Sequence, residues 1–559
     1  MKVVIVGGVA GGASAATRLR RLDEQAEIVM IERSAYVSYA NCGLPYFIGD
    51  VITDRAKLTL QTPESFRTRF NVDARVNQEV TAIDLAAKQV TILNRADGTS
   101  YVESYDKLIL SPGAKPVIPN IPIDDSDKLF TLRTVEDTFA IHGYVQARQP
   151  KTAAVIGGGF IGVEVAENLA ERDIAVTLYQ RPTHVLPILD DDMASFVHAE
   201  MTAKGVELRL GANVKAISDT GGSIAVADQD DERGFDMAVL AIGVAPESTL
   251  AIQAGLETGV KGAIVVDGHM RTSDPDIYAV GDAVQVKHFV TGADAHIALA
   301  GPANKQGRIA ADNICGIPSV FDGSMGSSVL KVFDLTVAAT GLSAKSASAA
   351  GLDFDYVLLS PPSHATYYPG SNVIRMKVLF ECGTGRILGA QAIGKDGVEK
   401  RIDVIATAIH AHLAGHDLAE LDLAYAPPFS SAKDPVNMAG FMISNIVDDL
   451  VEQVQWDRAL ALKDGEMLLD VRTPAERGRG CIPGTLHIPV DELRERMSEL
   501  PRDKRIFVHC QSGVRSYIAC RILSQNDFSC ANVAGGWAFY ASIYQNKLQD
   551  GAGKGSCGL

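Results

Sequence analysis

The chain carries one local pattern twice. Val3-Val4-Ile5-Val6-Gly7-Gly8-Val9-Ala10-Gly11-Gly12 returns as Ala154-Val155-Ile156-Gly157-Gly158-Gly159-Phe160-Ile161-Gly162. In each copy an apolar run suited to a buried strand meets a glycine turn and then a helix-forming stretch. Glycines at such a turn let the backbone approach a pyrophosphate, and the helix N-terminus stabilises its charge. A single turn of this kind constrains little. Two in one chain predict a doubly wound α/β protein that holds two dinucleotides, one at Gly7, Gly8, Ala10, Gly11 and Gly12, the other at Gly157, Gly159, Phe160, Ile161 and Gly162.

The copies differ in ways that bear on the ligand. Glu32 closes the strand Ile28-Val29-Met30-Ile31-Glu32, where a carboxylate binds a ribose hydroxyl. Val9 stands where the first turn would have its middle glycine. In the second copy all three glycines are present, but Gln180 followed by Arg181 replaces the acid after Val176-Thr177-Leu178-Tyr179. An arginine without a carboxylate leans toward a 2′-phosphate, hence NADPH. Gln180 alone can equally serve the ribose of NADH, so both nicotinamides stay open.

At 559 residues the length suits about four domains. The composition, 47% hydrophobic and 21% charged, is that of a globular chain. A formal charge of −16 argues against nucleic acid or an anionic membrane as partner, so an anionic ligand calls for a local basic patch. No apolar run reaches the length of a membrane span. The apolar N-terminus runs straight into glycines, which reads as a buried strand rather than an export signal. A cytoplasmic protein with eight reduced cysteines is the expectation. Cys315, Cys382, Cys481, Cys520 and Cys530 read as inert buried thiols, and Cys557 as a passive tail thiol. No metal site is expected.

Two cysteines stand apart. Cys42 lies in Ser38-Tyr39-Ala40-Asn41-Cys42-Gly43-Leu44-Pro45-Tyr46 with no second thiol nearby, so it must cycle against a substrate thiol, a persulfide or a sulfenic acid. Cys510 opens Cys510-Gln511-Ser512-Gly513-Val514-Arg515-Ser516 between a strand and a helix. The N–H groups of such a loop form an anion-binding nest that favours a thiolate and its persulfide, and Arg515 adds positive charge. Four residues separate Cys510 from Arg515, one fewer than in a cysteine phosphatase loop, which suits sulfur better than phosphate.

These motifs resemble known families. Thr272–Asp282, ending on Gly281-Asp282, is similar to the segment of flavin disulfide reductases whose aspartate binds the ribityl chain of FAD. Tyr105–Ala114 and Ala238–Pro246 resemble the crossovers between FAD and NAD domains. The resemblance carries Arg33, Val80, Ser111, Pro112, Gly113 and Gly243 into the cofactor sites. The Cys42 motif, Tyr367-Tyr368-Pro369-Gly370 and Tyr425–Asp434 resemble the coenzyme A-disulfide reductases over roughly residues 1–445. That resemblance implies coenzyme A contacts from Ser14, Arg18, Arg21, Ser38, Asn41 and Lys433. It also implies a homodimer in which Tyr367 and Tyr425 reach Cys42 of the other copy. Arg18 and Arg21, three apart on one helix, share a face and would form the local cationic site.

The C-terminal segment, with Asp470-Val471-Arg472 and Gly480–Pro489, resembles a single rhodanese domain. The implied architecture is α/β: two Rossmann-like FAD and NAD(P) domains, an α+β dimerisation domain and a C-terminal α/β rhodanese domain. The expected boundaries are 1–112 and 265–325 (FAD), 113–264 (NAD(P)H), 326–447 (dimerisation), 455–545 (rhodanese) and 546–559 (flexible tail). The implied activity is NAD(P)H- and FAD-dependent reduction of a coenzyme A persulfide, polysulfide or coenzyme A disulfide at Cys42, with Cys510 supplying sulfane sulfur. An NADH oxidase or peroxidase working through a cysteine sulfenic acid, or a sulfur carrier or redox sensor, are the other readings.

Overall fold

The computed structural model describes residues 1–545. The segment expected to be a flexible tail, 546–559 with Cys557, lies outside the described residues. The chain forms two compact units, one of Met1–Val185 with Lys204–Gly326, the other of Leu186–Ala203 with the chain from Ser327 onward.

The first unit contains both glycine-turn repeats. Strand β1 (Lys2–Val6) leads through the turn into helix α1 (Ala10–Leu22) and strand β2 (Glu27–Ile31). Their sheet runs Ile277–Ala279, Lys107–Leu110, β1, β2, Asp73–Arg75, with every pair parallel. Successive side chains alternate between two cores: Val3, Ile5, Ile28 and Met30 fill one, Val4, Val6, Val29 and Ile31 the other. A sheet covered on both faces needs apolar residues at every position, which is why these strands read as continuous apolar runs.

The second repeat builds β3 (Thr152–Ile156), α2 (Phe160–Ala170) and β4 (Ala175–Gln180). Its sheet runs Glu207–Leu210, β4, β3, Met237–Leu240, Leu129–Thr131, again all parallel. The segments resembling crossovers do meet: Ala114–Pro116 pairs antiparallel with Val244–Pro246.

In the second unit an antiparallel sheet runs Ser328–Val332, Leu335–Gly341, Ile387–Gly394, Arg375–Glu381, Phe354–Leu359. Helix α3 (Val398–His410) packs on it. Helix Asp191–Ala203 belongs to this unit, although its sequence falls within the stretch expected to bind the nicotinamide. The reason is a buried charge. Lys377, 2% exposed in its side chain, pairs with Asp190 at 2.9 Å and Asp192 at 2.8 Å, and Asp190 also accepts from Gln391 Nε2 at 2.8 Å. A buried ammonium requires such partners, and here they tie the helix to the sheet.

A second, parallel sheet in this unit runs Gln453–Val454, Cys530–Val533, β5 (Arg505–His509), Glu466–Asp470, Leu486–His487. Helix α4 (Val514–Ser524) follows β5 after a four-residue loop that begins at Cys510. The α/β class with an α+β unit and a C-terminal α/β sheet is therefore the architecture observed. No helix among the described residues is long and apolar enough to cross a membrane.

Candidate active site

The two glycine turns are built alike. Gly7 has φ +95°, and a Cβ added at Gly12 would lie 1.9 Å from the Gly7 carbonyl oxygen, so the start of α1 rests directly on the turn. Val9 occupies the N-cap and supplies no side-chain cap, although a valine rather than a glycine stands there. In the second turn Gly159 is the N-cap of α2, also uncapped, and nothing lies within 4 Å of where its Cβ would be. The start of α2 thus presents backbone N–H groups to open space, and both uncapped helix starts offer a donor set that fits a pyrophosphate. Ala10, Gly11, Phe160, Ile161 and Gly162 form the first turns of these helices.

Glu32 and Gln180 do the same structural work. Glu32 accepts from Gly8 N at 2.9 Å and from Ser34 N at 2.9 Å. Gln180 Oε1 accepts from Gly158 N at 2.8 Å while its amide nitrogen donates to His184 O at 3.0 Å. Each side chain braces its own glycine turn. Beyond them Arg33 and Arg181 are exposed, and Arg33 approaches Glu247 at 4.0 Å. Ser111 N bonds Val6 O at 2.7 Å, which brings Ser111, Pro112 and Gly113 to the first turn; Val80 is buried in the adjoining core, and Gly243 is exposed. Gly281 N donates to Gln306 Oε1 at 2.7 Å.

Asp282 has a partner that the sequence reading missed. Arg133 Nη2 donates to Asp282 Oδ2 at 2.7 Å and Arg133 Nε donates to Ala114 O at 3.1 Å. With its amide turned to satisfy both ends, Asn41 bonds Arg133 twice at 3.1 Å. Arg133 therefore joins Asp282 to the residue before Cys42. The Cys42 loop is also hung on the first glycine turn: Ser38, in the left-handed region at φ 47°, donates its N–H to Gly8 O at 2.8 Å.

Cys42 sits in the single turn Asn41–Gly43, just before the short helix Leu44–Ile48, as an exposed free thiol. Neighbouring protein atoms strip water from its sulfur and push the thiol above the usual cysteine range; Glu164 and Asp282 add to this and Arg133 opposes it. Glu164, on α2, accepts from Tyr46 Oη at 3.4 Å. Burial, reinforced by Glu167, pushes its carboxyl up to about 7 against the Tyr46 bond. Tyr46 closes the Cys42 motif, which assigns it no role, and nothing in the sequence marks Glu164.

The expected cationic face on α1 is largely compensated. Arg18 Nε donates to Asp312 Oδ1 at 2.6 Å, Arg21 folds back on Thr17 O at 2.9 Å, and Ser14 Oγ donates to Asn304 at 2.5 Å. Arg18 and Arg21 share the helix as read, but Asp312 cancels one of the two charges at contact distance.

In the second unit Tyr367 and Tyr425 share a hydrogen bond between their hydroxyls of 2.7 Å, and both are exposed, as is Lys433. The hydrogen bond with Tyr367 raises the Tyr425 phenol above its ordinary range.

The Cys510 loop is a nest. Cys510 is buried at the end of β5, and its Sγ accepts from Gly513 N at 3.1 Å and Ser516 Oγ at 3.4 Å. Gly513, at φ +104°, is the uncapped N-cap of α4. Arg515 does not turn inward: its guanidinium pairs in bidentate fashion with Glu476 at 2.6 and 2.7 Å, holding that carboxyl down to about 2. Below the loop, Arg472 pairs with Asp470 at 2.7 Å, both fully buried. Beside them burial pushes His509 down to about 4, so it is neutral at pH 7. The back of the nest is closed by Gly535-Gly536. Trp537 N donates to Cys510 O at 2.7 Å, and a Cβ on Gly536 would lie 2.5 Å from that same oxygen.

The chain belongs to the pyridine nucleotide-disulphide oxidoreductase family, whose model matches residues 1–307; the model of its dimerisation domain matches 327–435. Members of this family are FAD- and NAD(P)H-dependent enzymes, and the two glycine cradles fit such cofactors. A rhodanese-like domain model matches residues 455–542. The chain is 36% identical to the coenzyme A disulfide reductase of Staphylococcus haemolyticus over 441 residues, which cover 79% of this chain and 98% of that one. It matches the crystal structure of reduced Bacillus anthracis CoADR-RHD with a TM-score of 0.95 and 50% identity, over 98% of both chains. It matches the NAD-dependent persulfide reductase from A. fulgidus with a TM-score of 0.91 and 39% identity, over 97% of this chain and 100% of that one.

Two predictions follow from this geometry. The Gly536 backbone (φ 60°) and its closeness to Cys510 O leave no room for a methyl group. Gly536→Ala should cut persulfide loading of Cys510, read by mass spectrometry, at least roughly tenfold, while NADH still bleaches the flavin at the wild-type rate. For Glu164, the folded carboxyl near 7 lies above its unfolded value of about 4.3. The folded state then binds the proton more tightly, so its contribution to stability falls as pH rises from about 4 to 7 and stays low above that. Thermal melts should show the wild type losing more stability between pH 5 and pH 8 than Glu164→Gln does.

Proposed function

We propose that this enzyme reduces coenzyme A-linked persulfide, polysulfide or disulfide with NAD(P)H, through Cys42, and that its rhodanese domain supplies sulfane sulfur from Cys510. The observation that carries the reading is an exposed lone thiol beside a dinucleotide cradle, in a chain that also holds a buried thiol within a peptide nest. FAD, when bound, accepts hydride from NAD(P)H and furnishes the reducing electrons. Gly7–Gly12, Glu32 and Asp282 would hold it, and Gly157–Gly162 with Gln180 would hold the nicotinamide cofactor. The Cys42 thiolate attacks the sulfur bonded to coenzyme A, and the outer sulfur group departs with a proton as hydrosulfide, shortened polysulfide or thiol. Tyr367 and Tyr425 of one protomer supply that proton at Cys42 of the other. The mixed disulfide left on Cys42 would be reduced by the two electrons from NAD(P)H, freeing coenzyme A and the Cys42 thiolate. Ser14, Arg18, Arg21, Ser38, Asn41 and Lys433 would hold the coenzyme.

The dimer is supported by the dimerisation-domain match at 327–435 and by exposed Tyr367, Tyr368, Val373, Phe429 and Phe441 in the second unit. Large apolar side chains exposed in this number call for a covering surface. The domain boundaries set out above and a cytoplasmic location belong to the same reading; Cys42, Cys315, Cys382, Cys510, Cys520 and Cys530 are free thiols, whereas Cys481, expected to be an inert thiol, is disulfide-bonded. An oxidase or peroxidase working through a sulfenic acid leaves the rhodanese-like segment at 455–542 without a task.

The deciding experiment is anaerobic NAD(P)H oxidation with sulfide measured, using coenzyme A persulfide and coenzyme A disulfide in turn. Persulfide preference with one sulfide per nicotinamide oxidised is expected, and Cys42→Ser should lose at least about a thousandfold in rate. Turnover that needs oxygen and ignores coenzyme A would overturn the reading. The nicotinamide preference rests on Arg181, exposed at the end of β4 beside a neutral Gln180. Arg181→Ala should lower kcat/KM for NADPH by about tenfold and leave that for NADH within twofold.

A further inference from the structure

Tyr367 and Tyr425 are 75% and 45% exposed, yet their hydroxyls stand 2.7 Å apart. Exposed phenols on two separate loops do not hold such a geometry by their own packing, so it must be set where the loops are rooted. Both roots converge on one side chain. Arg401, on α3, is 1% exposed and donates Nη2 to Ser363 O at 3.1 Å, four residues before Tyr367. The same nitrogen donates to Ser430 Oγ at 3.0 Å and to Asp434 Oδ2 at 3.0 Å, five and nine residues after Tyr425. Nη1 donates to Gly397 O at 3.0 Å, which fixes the guanidinium plane on its own helix. Ser430 Oγ in turn donates to Asp434 Oδ2 at 2.7 Å, and Ala365 N donates to Ser430 O at 3.0 Å, stitching the two loops together. The neighbouring Lys400 donates to Ala424 O at 3.4 Å, next to Tyr425.

A buried Arg–Asp pair is weak evidence of stabilisation, because well-packed apolar residues of the same volume often serve as well. What a planar guanidinium gives, and an apolar residue does not, is several fixed directions from one rigid group. Here those directions run to the root of each tyrosine loop. We infer that Arg401 is a positioning residue for the reduction of substrate at Cys42: through Ser363, Ser430 and Asp434 it sets the spacing of the Tyr367–Tyr425 phenol pair, and through Asp434 the place of Lys433. This rests on the reading that the phenol pair serves Cys42 of the other protomer. It adds no covalent step to that reading.

The test is a double-mutant cycle on the full-length, cofactor-loaded enzyme with coenzyme A persulfide as substrate. Arg401→Lys keeps the charge but reaches fewer partners. It should lower kcat about tenfold with KM within twofold, while NADH bleaches the flavin at the wild-type rate. Tyr425→Phe should lower kcat at least as much. The double variant should be no slower than Tyr425→Phe alone, because Arg401 acts through the phenols. Multiplicative losses in the double variant, or an unchanged kcat in Arg401→Lys, would overturn the inference while leaving the proposed function intact. If Tyr425→Phe itself keeps wild-type kcat, the use of the phenols fails and the inference falls with it. Should Arg401→Lys not fold, Ser430→Ala decides the matter, since it breaks one link and leaves the Arg401–Asp434 pair. A loss of about threefold that vanishes in the Tyr425→Phe background supports the inference, and no loss refutes it.

Discussion

The structure depends at three places on the same interaction, the backbone N–H groups at the start of a helix that follows a parallel strand. Helices α1, α2 and α4 begin at Val9, Gly159 and Gly513, and none of these residues offers a side-chain cap. Some other helices are capped, with Thr62, Thr134, Ser343 and Thr473 each closing a capping box, while others, such as those that follow Leu299 and Gly397, are not. The N–H donors of a first turn cost free energy when left unsatisfied and buried, so an uncapped start that follows a glycine turn is free to take another acceptor. At α4 that acceptor is visible, since Gly513 N reaches the Cys510 sulfur at 3.1 Å. At α1 and α2 the same physics fits a pyrophosphate. One device thus serves two dinucleotides and one sulfur.

Charge is handled differently. In a chain of formal charge −16, four arginines near functional residues carry a carboxylate: Arg133 with Asp282, Arg18 with Asp312, Arg515 with Glu476, Arg401 with Asp434. Pairing removes most of an arginine's long-range field and keeps its fork geometry. These arginines therefore act chiefly as struts. Arg515 makes the point most clearly: its sequence position suggested a cation facing the thiolate, and its bidentate bond to Glu476 makes it a wall of the loop.

What could be read from the sequence was what lies contiguous in it. The glycine turns, Cys42 without a neighbouring thiol and the Cys510 loop each occupy a dozen residues or fewer, and local backbone chemistry reports them. The supports could not be read, because they join residues far apart in the chain. Arg133 meets Asp282 across 149 positions, Tyr46 meets Glu164 across 118, and Arg401 meets Asp434 across 33. Gln180 was legible only in part: its missing charge could be seen, but not that its amide braces Gly158 as Glu32 braces Gly8. Gly535-Gly536 gave no signal at all, since a glycine pair has meaning only once the Cys510 carbonyl is known to lie behind it.

The two reactive cysteines sit in opposite surroundings, and this bears on how the enzyme must be assembled. Cys510 is enclosed, with N–H and hydroxyl donors already aimed at its sulfur, so its loop can hold a loaded sulfur without further help. The Cys42 thiol lies at the surface, yet its own surroundings disfavour the thiolate: neighbouring atoms strip water from the sulfur, and Glu164 and Asp282 add to this against the one arginine, itself tied to Asp282. A thiol in that setting is a poor nucleophile and a poor acceptor of charge until positive or proton-donating groups arrive. Within its own unit the nearby side chains do not supply them. On the proposed function, bound cofactor and substrate, and phenols brought by a second copy, would do so.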